Sequence, residues 1–438
     1  MKKNNKSQKL YIRAKKIIPG GVSLYSKRPE NYLPNLWPTY YSKTDGINVW
    51  DLNNKKYKDF FFGVGQNILG YNNRVINNSV IKACSSGNMS SLNCPEEVEL
   101  AEKLIEMHNW ADMVKYARTG GEANAIAIRI ARAASGKDNI AICGYHGWHD
   151  WYLSANLKNK TNLNKHLLDG LLIDGVPKRL RGTVYPFQYN DFEELERIVK
   201  KNNIGVIKME ARREIEPKAG FLKKIRKLCD KKGIVLIFDE CTSGFRETFG
   251  GIHKLYKVNP DIAIFGKALG NGYAITAIIG KKKVMSYAQN TFISSTFWTE
   301  KIGPTAAVKT LEIMKKKKSW IKITKSGKII KKLWKEIANN NDIKINIMGI
   351  DALPQFNFCN KQKNLEYKTL ISQEMLKQNY LSTGLIYVSI LHNKNNIYEY
   401  IDKLDNVFKL IKRCEYGEKV SKFLKTKTCN SGFKRLTT

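Results

Sequence analysis

Between residues 114 and 265 five short apolar runs alternate with stretches of helical periodicity, and this alternation limits the chain to few folds. The runs predict strands over 114–117, 139–143, 204–209, 233–239 and 261–265, and the spacers predict helices over 96–107, 122–135, 192–201 and 219–231. Near-continuous apolar strands with helices between them are what a parallel sheet needs, because each strand must be re-entered from the same end and both faces are then covered. The fold class is therefore α/β, with a mainly parallel sheet covered by helices.

The flanks read differently. Residues 7–17 carry Leu10, Ala14 and Ile17 at helical spacing, and Pro19-Gly20-Gly21 ends the pattern. Two short runs, INVWDL and KYKDFFFG, separated by Asn53-Asn54, predict a hairpin. After Pro304 a helix to about Lys316 leads into a lysine-rich segment and then a strand-helix-strand-helix tail. A chain of 438 residues exceeds one core of about 250–300 residues. The expected division is an N-terminal arm and hairpin (1–65) joining a small α+β domain, a large domain (66–303) and a C-terminal small domain (304–438).

Composition narrows the class without naming a function. Eight cysteines with no C-x-x-C pair and six histidines without H-x-x-x-H spacing predict neither a disulfide framework nor a structural zinc site. Asn4 to Lys9 are polar where a secretory signal would be apolar, and Asp261 to Gly280 contains Lys267 and several glycines, a poor bilayer span. A cytoplasmic protein is expected. The net charge of +36 raises the reading of a basic nucleic-acid-binding protein, but the lysines run from end to end and form no recognisable binding motif. They favour capture of anionic ligands.

Three segments carry candidate chemistry. Arg118-Thr119-Gly120-Gly121-Glu122 follows a strand and opens a helix, where free N–H groups and the helix dipole can cradle a phosphate; a Gly-Gly turn is equally plain structure. The run Gly233 to Asp239-Glu240 delivers two carboxylates to the end of a strand. Magnesium ligation would look similar, yet no G-x-x-x-x-G-K-[ST] accompanies it, and an N-cap aspartate is the structural alternative. Asp261 to Gly272 sets Lys267 at a strand end among glycines, either a desolvated amine nucleophile or a lysine whose stem snorkels to the surface. A phosphate grip, an acid for a pyridine nitrogen and a lysine for an imine together suit pyridoxal 5'-phosphate (PLP). Tyr145-His146-Gly147-Trp148-His149 offers flat side chains to stack on such a ring, or two histidines of a metal fragment.

In order along the chain, Pro19 to Val22, TGGEANAIAIRIARA, GYHGWHDW, IFDECTSGFR, FGKALGNGYAITAIIG, SSTFWTEKIGPTAA and SGFKRLT resemble class III aminotransferases of the fold-type I PLP enzymes. Within them the chain is similar to the glutamate-1-semialdehyde aminomutase-like branch. The resemblance implies that Lys267 carries PLP as an imine and that Asp239 pairs with the pyridine nitrogen. It implies that Thr119, Gly120 and Gly121 hold the phosphate, that Tyr145 stacks on the ring, that Glu210 occupies the position of the family's Glu-Pro motif, and that Thr296 reaches the phosphate from the other subunit of a homodimer. Ala211 replaces the motif's proline.

Ser23-Leu24-Tyr25-Ser26-Lys27-Arg28 stands where aminomutases resemble NSPVRAF, which makes glutamate semialdehyde an unexpected substrate. The expected activity is amino transfer between a small-molecule donor and a carbonyl acceptor, with a likeness to aminotransferases of surface-polysaccharide or nucleotide-sugar pathways. An intramolecular aminomutase and a PLP-fold protein without activity are the alternatives. Lys27, Arg28, Arg212 and Arg246 are candidates for an acidic substrate group or for ordinary ion pairs.

Overall fold

A computed structural model describes residues 5–166 and 168–433. The end of the SGFKRLT motif, from Lys434 on, lies outside them. The chain divides into two compact units, Met1–Asn73 with Ile321–Thr438, and Arg74–Trp320. In the first unit Asn5 caps the helix Lys6–Ile17, its side chain accepting from the N–H groups of Ser7 and Gln8. Then come β1 (Tyr41–Asp45), β2 (Asn48–Asp51) and β3 (Lys56–Asp59), paired antiparallel in sequence. The hairpin expected from INVWDL and KYKDFFFG is β2–β3. β1 lacks the alternation that would announce a strand, since its side chains are mostly exposed.

The second unit holds seven strands: β4 (Met113–Ala117), β5 (Asn139–Cys143), β6 (Val184–Pro186), β7 (Ile204–Met209), β8 (Val235–Asp239), β9 (Ile262–Phe265) and β10 (Thr276–Gly280). Their order in the sheet is β4-β10-β9-β8-β7-β5-β6. Pairings from β9 through β8, β7 and β5 to β6 are parallel, while β10 runs antiparallel to both β9 and β4. Every residue of β7 to β10 is buried, as a sheet covered on both faces demands. Each isoleucine or valine so buried stabilises by about 1.5–3 kcal/mol.

The helix Gly120–Ser135 packs one face on this sheet through Ala123, Ile126, Ala127, Ile130 and Ala131, and Gly136 ends it in the left-handed conformation. Gly233 does the same for the helix Phe221–Lys232, so the strand expected over 233–239 begins two residues later, at Val235. The C-terminal ends of the five parallel strands lie at one edge of the sheet. Because β4 is antiparallel to β10, Ala117 lies at that edge too, beside Thr276. This is the edge where α/β proteins bind ligands.

The lysine-rich segment departs from expectation. Lys318 breaks the helix Ile302–Lys317 with a left-handed φ of 48°, and Ser319–Asn340 is a helix of 22 residues. Its buried side chains, Ile323, Ile330, Trp334, Ile337 and Ala338, recur at helical spacing while the lysines take the other face. The first unit is completed by β11 (Ile345–Met348) paired with β12 (Gln355–Phe358), the helix Asn364–Lys377, β13 (Tyr380–Leu381) parallel to β3, and the helix Lys394–Glu415.

Candidate active site

Lys267 follows β9 at a backbone φ of 34°, a conformation costly for a side-chain-bearing residue, in a short turn between Gly266 and Gly270. Its Nζ donates to Thr242 Oγ1 at 2.8 Å. Burial disfavours the ammonium, the nearby Arg213 and Arg246 cations add to that, and the amine is pulled down from 10.5 to about 7. A lysine that is about half free amine at neutral pH is a competent nucleophile and base.

Asp239 ends β8 and is 4% exposed. Its Oδ2 lies 2.9 Å from His146 Nδ1 and 3.8 Å from Lys208 Nζ, and its Oδ1 accepts the Cys241 N–H at 3.1 Å. Burial alone would raise the carboxyl. The Lys208 cation and the His146 contact outweigh it and hold Asp239 well below the usual carboxylate range, so it is an anion. His146 Nε2 faces the Cys143 carbonyl oxygen at 3.2 Å. Burial and Lys208 lower its proton affinity, and the neutral ring donating Nδ1–H to Asp239 is the form these surroundings favour. Glu240, one residue on, points to the other face. It is spent on Ser243, on His253 Nδ1 at 2.9 Å and on the N–H groups of Ile252 and His253, so only one of the two adjacent carboxylates serves this site.

The Thr119 turn supplies the third part. Thr119 and Glu122 form a capping box, Glu122 Oε2 accepting from the Thr119 N–H at 2.8 Å. The next N–H groups, of Gly120 and Gly121, open the helix and have no place in its ladder. A Cβ on Gly121 would stand 3.2 Å from the His149 ring, and one on Gly147 (φ 100°) would stand 3.2 Å from Gly121 Cα. Glycine is thus needed where the 119–121 turn meets the 146–149 loop. Tyr145 is half-buried, and burial raises its hydroxyl, with Arg213 and Asp239 as its charged neighbours. Glu210 follows β7 and pairs with Arg213 Nη1 at 3.2 Å; it crosses so close to Gly144 that a Cβ there would fall 2.8 Å from Glu210 Oε2. Thr296 is exposed, at the start of the turn Thr296–Thr299, and is not among the groups that meet Lys267 or Asp239. That turn is tied to the phosphate-type turn through Arg118, whose Nη2 donates to the Trp298 and Glu300 carbonyls and whose Nε lies 3.0 Å from Glu300.

Three participants escape a reading of the sequence. Lys208 lies on β7 with no exposed side-chain surface and no hydrogen-bond partner for Nζ among the described residues. A lone lysine inside IGVIKM was the available signal. Thr242 and Arg213 sit in loops with no periodicity to mark them. His146 appears among the flat side chains of its motif but holds Asp239 by its edge. Of the candidate cations, Arg212 pairs with Glu216 and Glu247, and Arg246 is fully buried with Nε donating to the Thr242 carbonyl at 2.5 Å.

These groups fit PLP. An ionised acid suits a protonated pyridine nitrogen, open amides at a helix N-terminus suit a phosphate, and a depressed lysine suits an aldehyde. The sequence profile described as "Aminotransferase class-III" matches residues 31–398. The chain is 34% identical to a 3-aminobutyryl-CoA aminotransferase of Cloacimonas acidaminovorans, over 83% of this chain and 86% of that protein. It is 29% identical to a glutamate-1-semialdehyde 2,1-aminomutase of Wigglesworthia glossinidia brevipalpis, over 94% and 99%. The FumI protein of Sphingopyxis sp. MTA144, solved with PLP, shares the fold at a TM-score of 0.85 and 22% identity, over 95% and 99% of the two chains. The chain belongs to the class III aminotransferases, a PLP-dependent enzyme family.

Proposed function

We propose that this enzyme moves an amino group from a small-molecule donor to a separate carbonyl acceptor, with Lys267 and Asp239 as its catalytic residues. The observation that carries the reading is the Lys267 amine, pulled down to about 7 and held by Thr242, in the same site as the ionised Asp239. Bound PLP would supply an aldehyde that condenses with amines and a ring that takes up the electron pair of a deprotonated carbon. Thr119, Gly120 and Gly121 would hold its phosphate, Asp239 its pyridine nitrogen, Tyr145 its ring face, and Lys267 its aldehyde carbon. Glu210 borders the same space. Once released by the donor, Lys267 is the base that would take the proton from the donor's α-carbon and pass it to the carbon the cofactor's aldehyde supplies, two bonds away.

Thr296 acts, in this reading, on the second copy of a homodimer. Phe292 and Phe297 beside it are 87% and 69% exposed, apolar surface of the kind a partner covers. Among the described residues no helix is long and apolar enough to cross a membrane, and we place the enzyme in the cytoplasm. The FWTE segment supports an acceptor from surface-polysaccharide or nucleotide-sugar metabolism, whereas the relative named for 3-aminobutyryl-CoA supports a 3-aminoacyl thioester as the amino donor. The long match to aminomutases supports the intramolecular alternative, which the replaced NSPVRAF segment opposes.

The test is Lys267→Ala with purified protein, PLP and a panel of donors and of keto-sugar-nucleotide and oxoacyl acceptors. Loss of both turnover and the visible absorbance of protein-bound PLP is expected. A variant retaining both sinks the assignment. Isotope-labelled amine that stays within one molecule, never crossing to an acceptor, decides for the aminomutase.

A further inference from the structure

β7 reads IGVIKM, every residue of it is buried, and Lys208 is its one charged residue. Lys208 Nζ lies 3.8 Å from Asp239 Oδ2, with no exposed side-chain surface and no hydrogen-bond partner among the described residues. An ammonium held in that way adds little net stability, and an apolar side chain of similar volume would fill the strand as well. Asp239 Oδ2 also meets His146 Nδ1 at 2.9 Å, while Oδ1 takes the Cys241 N–H at 3.1 Å. A carboxylate offers about four lone-pair directions, so Oδ1 has room for a further donor.

The other titratable groups around the pair do not supply the charge that Lys208 does. The surroundings of His146 favour its neutral ring, and burial together with Asp239 pushes the Cys241 thiol well up, so it keeps its proton. Glu210 is a second carboxylate within electrostatic reach of Lys208, and Tyr145 brings an un-ionised hydroxyl near Asp239. Lys267 acts on the Cys241 thiol and, in the reading above, is taken up by the cofactor's aldehyde carbon. Lys208 is therefore the standing cation on Asp239.

We propose that Lys208 is a positioning residue that acts through Asp239 to lower the basicity of the cofactor's ring nitrogen, and so sets how strongly the bound ring draws electrons. This rests on the assignment of Asp239 to that nitrogen and adds a second group behind it. Two cations that share one carboxylate oppose each other, so each weakens the other's hold on a proton. Charges about 4–6 Å apart shift a titration by about one to three units, and with a carboxylate between the two cations the lower end applies. About one unit is a tenfold change in the ratio of protonated to free nitrogen. A ring that yields its proton more readily is a weaker electron sink.

The experiment loads wild type, Lys208→Met, Lys208→Arg and Asp239→Asn with PLP labelled at the ring nitrogen and follows that nitrogen's magnetic resonance with pH. A second arm starts from cofactor-free protein and measures, by quenching of tryptophan fluorescence, the preference for PLP over an analogue with a C–H group in place of the ring nitrogen. In Lys208→Met the nitrogen is expected to keep its proton to a pH about one unit higher, and the preference for PLP to grow about tenfold. Lys208→Arg, which retains the cation, stays near wild type, and Lys208→Ile gives the same comparison should methionine disturb the strand. Because His146 can itself charge once Lys208 is gone, both arms are repeated in a His146→Asn background, where the ring nitrogen alone can respond. A preference unchanged in both backgrounds, or a midpoint that falls, overturns the role of Lys208. If Asp239→Asn leaves the nitrogen resonance as in wild type, the assignment of Asp239 to the ring fails. If Asp239→Asn moves the resonance while Lys208→Met changes neither readout, only the proposal for Lys208 falls.

Discussion

Replacing Lys208 with methionine is expected to cost almost nothing in stability, whereas Asp239→Asn is expected to be severe. The two side chains are 3.8 Å apart and almost wholly inaccessible to solvent. At an effective dielectric constant of about 20 their attraction is roughly 4 kcal/mol. Against it stands the desolvation of the Lys208 ammonium, several kcal/mol for a buried ion without a hydrogen bond to offset it, which pulls the amine below its ordinary value even though Asp239 opposes the shift. The two terms nearly cancel, and methionine fills a similar volume. Asp239 is not stranded by the change: it keeps the His146 contact and the Cys241 N–H, and His146, relieved of a cation that lowers its proton affinity, can charge and take over. Lys208→Met is therefore expected within about 1 kcal/mol of wild type, while Asp239→Asn, which leaves the buried ammonium unpaired, loses about 3–5 kcal/mol. The double variant recovers most of that loss, a coupling of about 2–3 kcal/mol. Urea unfolding of the cofactor-free proteins, followed by tryptophan fluorescence, measures all three. A Lys208→Met variant as unstable as Asp239→Asn, or strictly additive losses, would refute the account of the pair.

Reaction of cofactor-free protein with added PLP is expected to speed up as pH rises through about 7 and to level off above it, because the folded environment favours the free amine of Lys267. Stopped-flow absorbance reads the midpoint; a rise continuing toward the ordinary lysine value of 10.5 would contradict the burial argument. Thr119→Ala, which removes half of the capping box, should cost about 1 kcal/mol in the same urea assay, and an unchanged midpoint would deny the box any stabilising part. Glu240→Gln should lower stability by at least about 2 kcal/mol by upsetting a carboxylate that serves Ser243, Ile252 and His253, yet leave the spectrum of bound PLP as it was. A changed spectrum would place Glu240 in the site.

Much of this was open to reading because local pattern and tertiary position agree in the large unit. Apolar runs became strands, the spacers became helices, and the strand ends carrying Asp239 and Lys267 were drawn to one edge by the parallel arrangement alone. β6 and β10 were the exceptions: VYP is only three residues long, and TAIIG follows a glycine-rich turn with no α-helix between it and β9, so its antiparallel insertion between β9 and β4 depends on a long-range pairing. The lysine-rich helix was obscured because charge outnumbers apolar residues, although Ile323, Ile330 and Trp334 keep its period. Lys208 shows the limit most clearly. In a strand the side chains alternate, so Asp239 and Glu240 must part to opposite faces, and that much needs only the sequence. That Lys208 shares the Asp239 face follows from its pairing with Ile237, two residues before Asp239 on the neighbouring strand. Register of that kind joins residues some thirty positions apart, and the hydrophobic pattern of a strand buried on both faces does not encode it, since a slip by one residue would expose no polar side to water. The lysine itself breaks that degeneracy: a slip that turned Nζ away from Asp239 would bury a cation with nothing beside it. The pair that adds little net stability is thus expected to favour the observed alignment of β7 and β8, and with it the position of Glu210 relative to Asp239, over a register slipped by one residue.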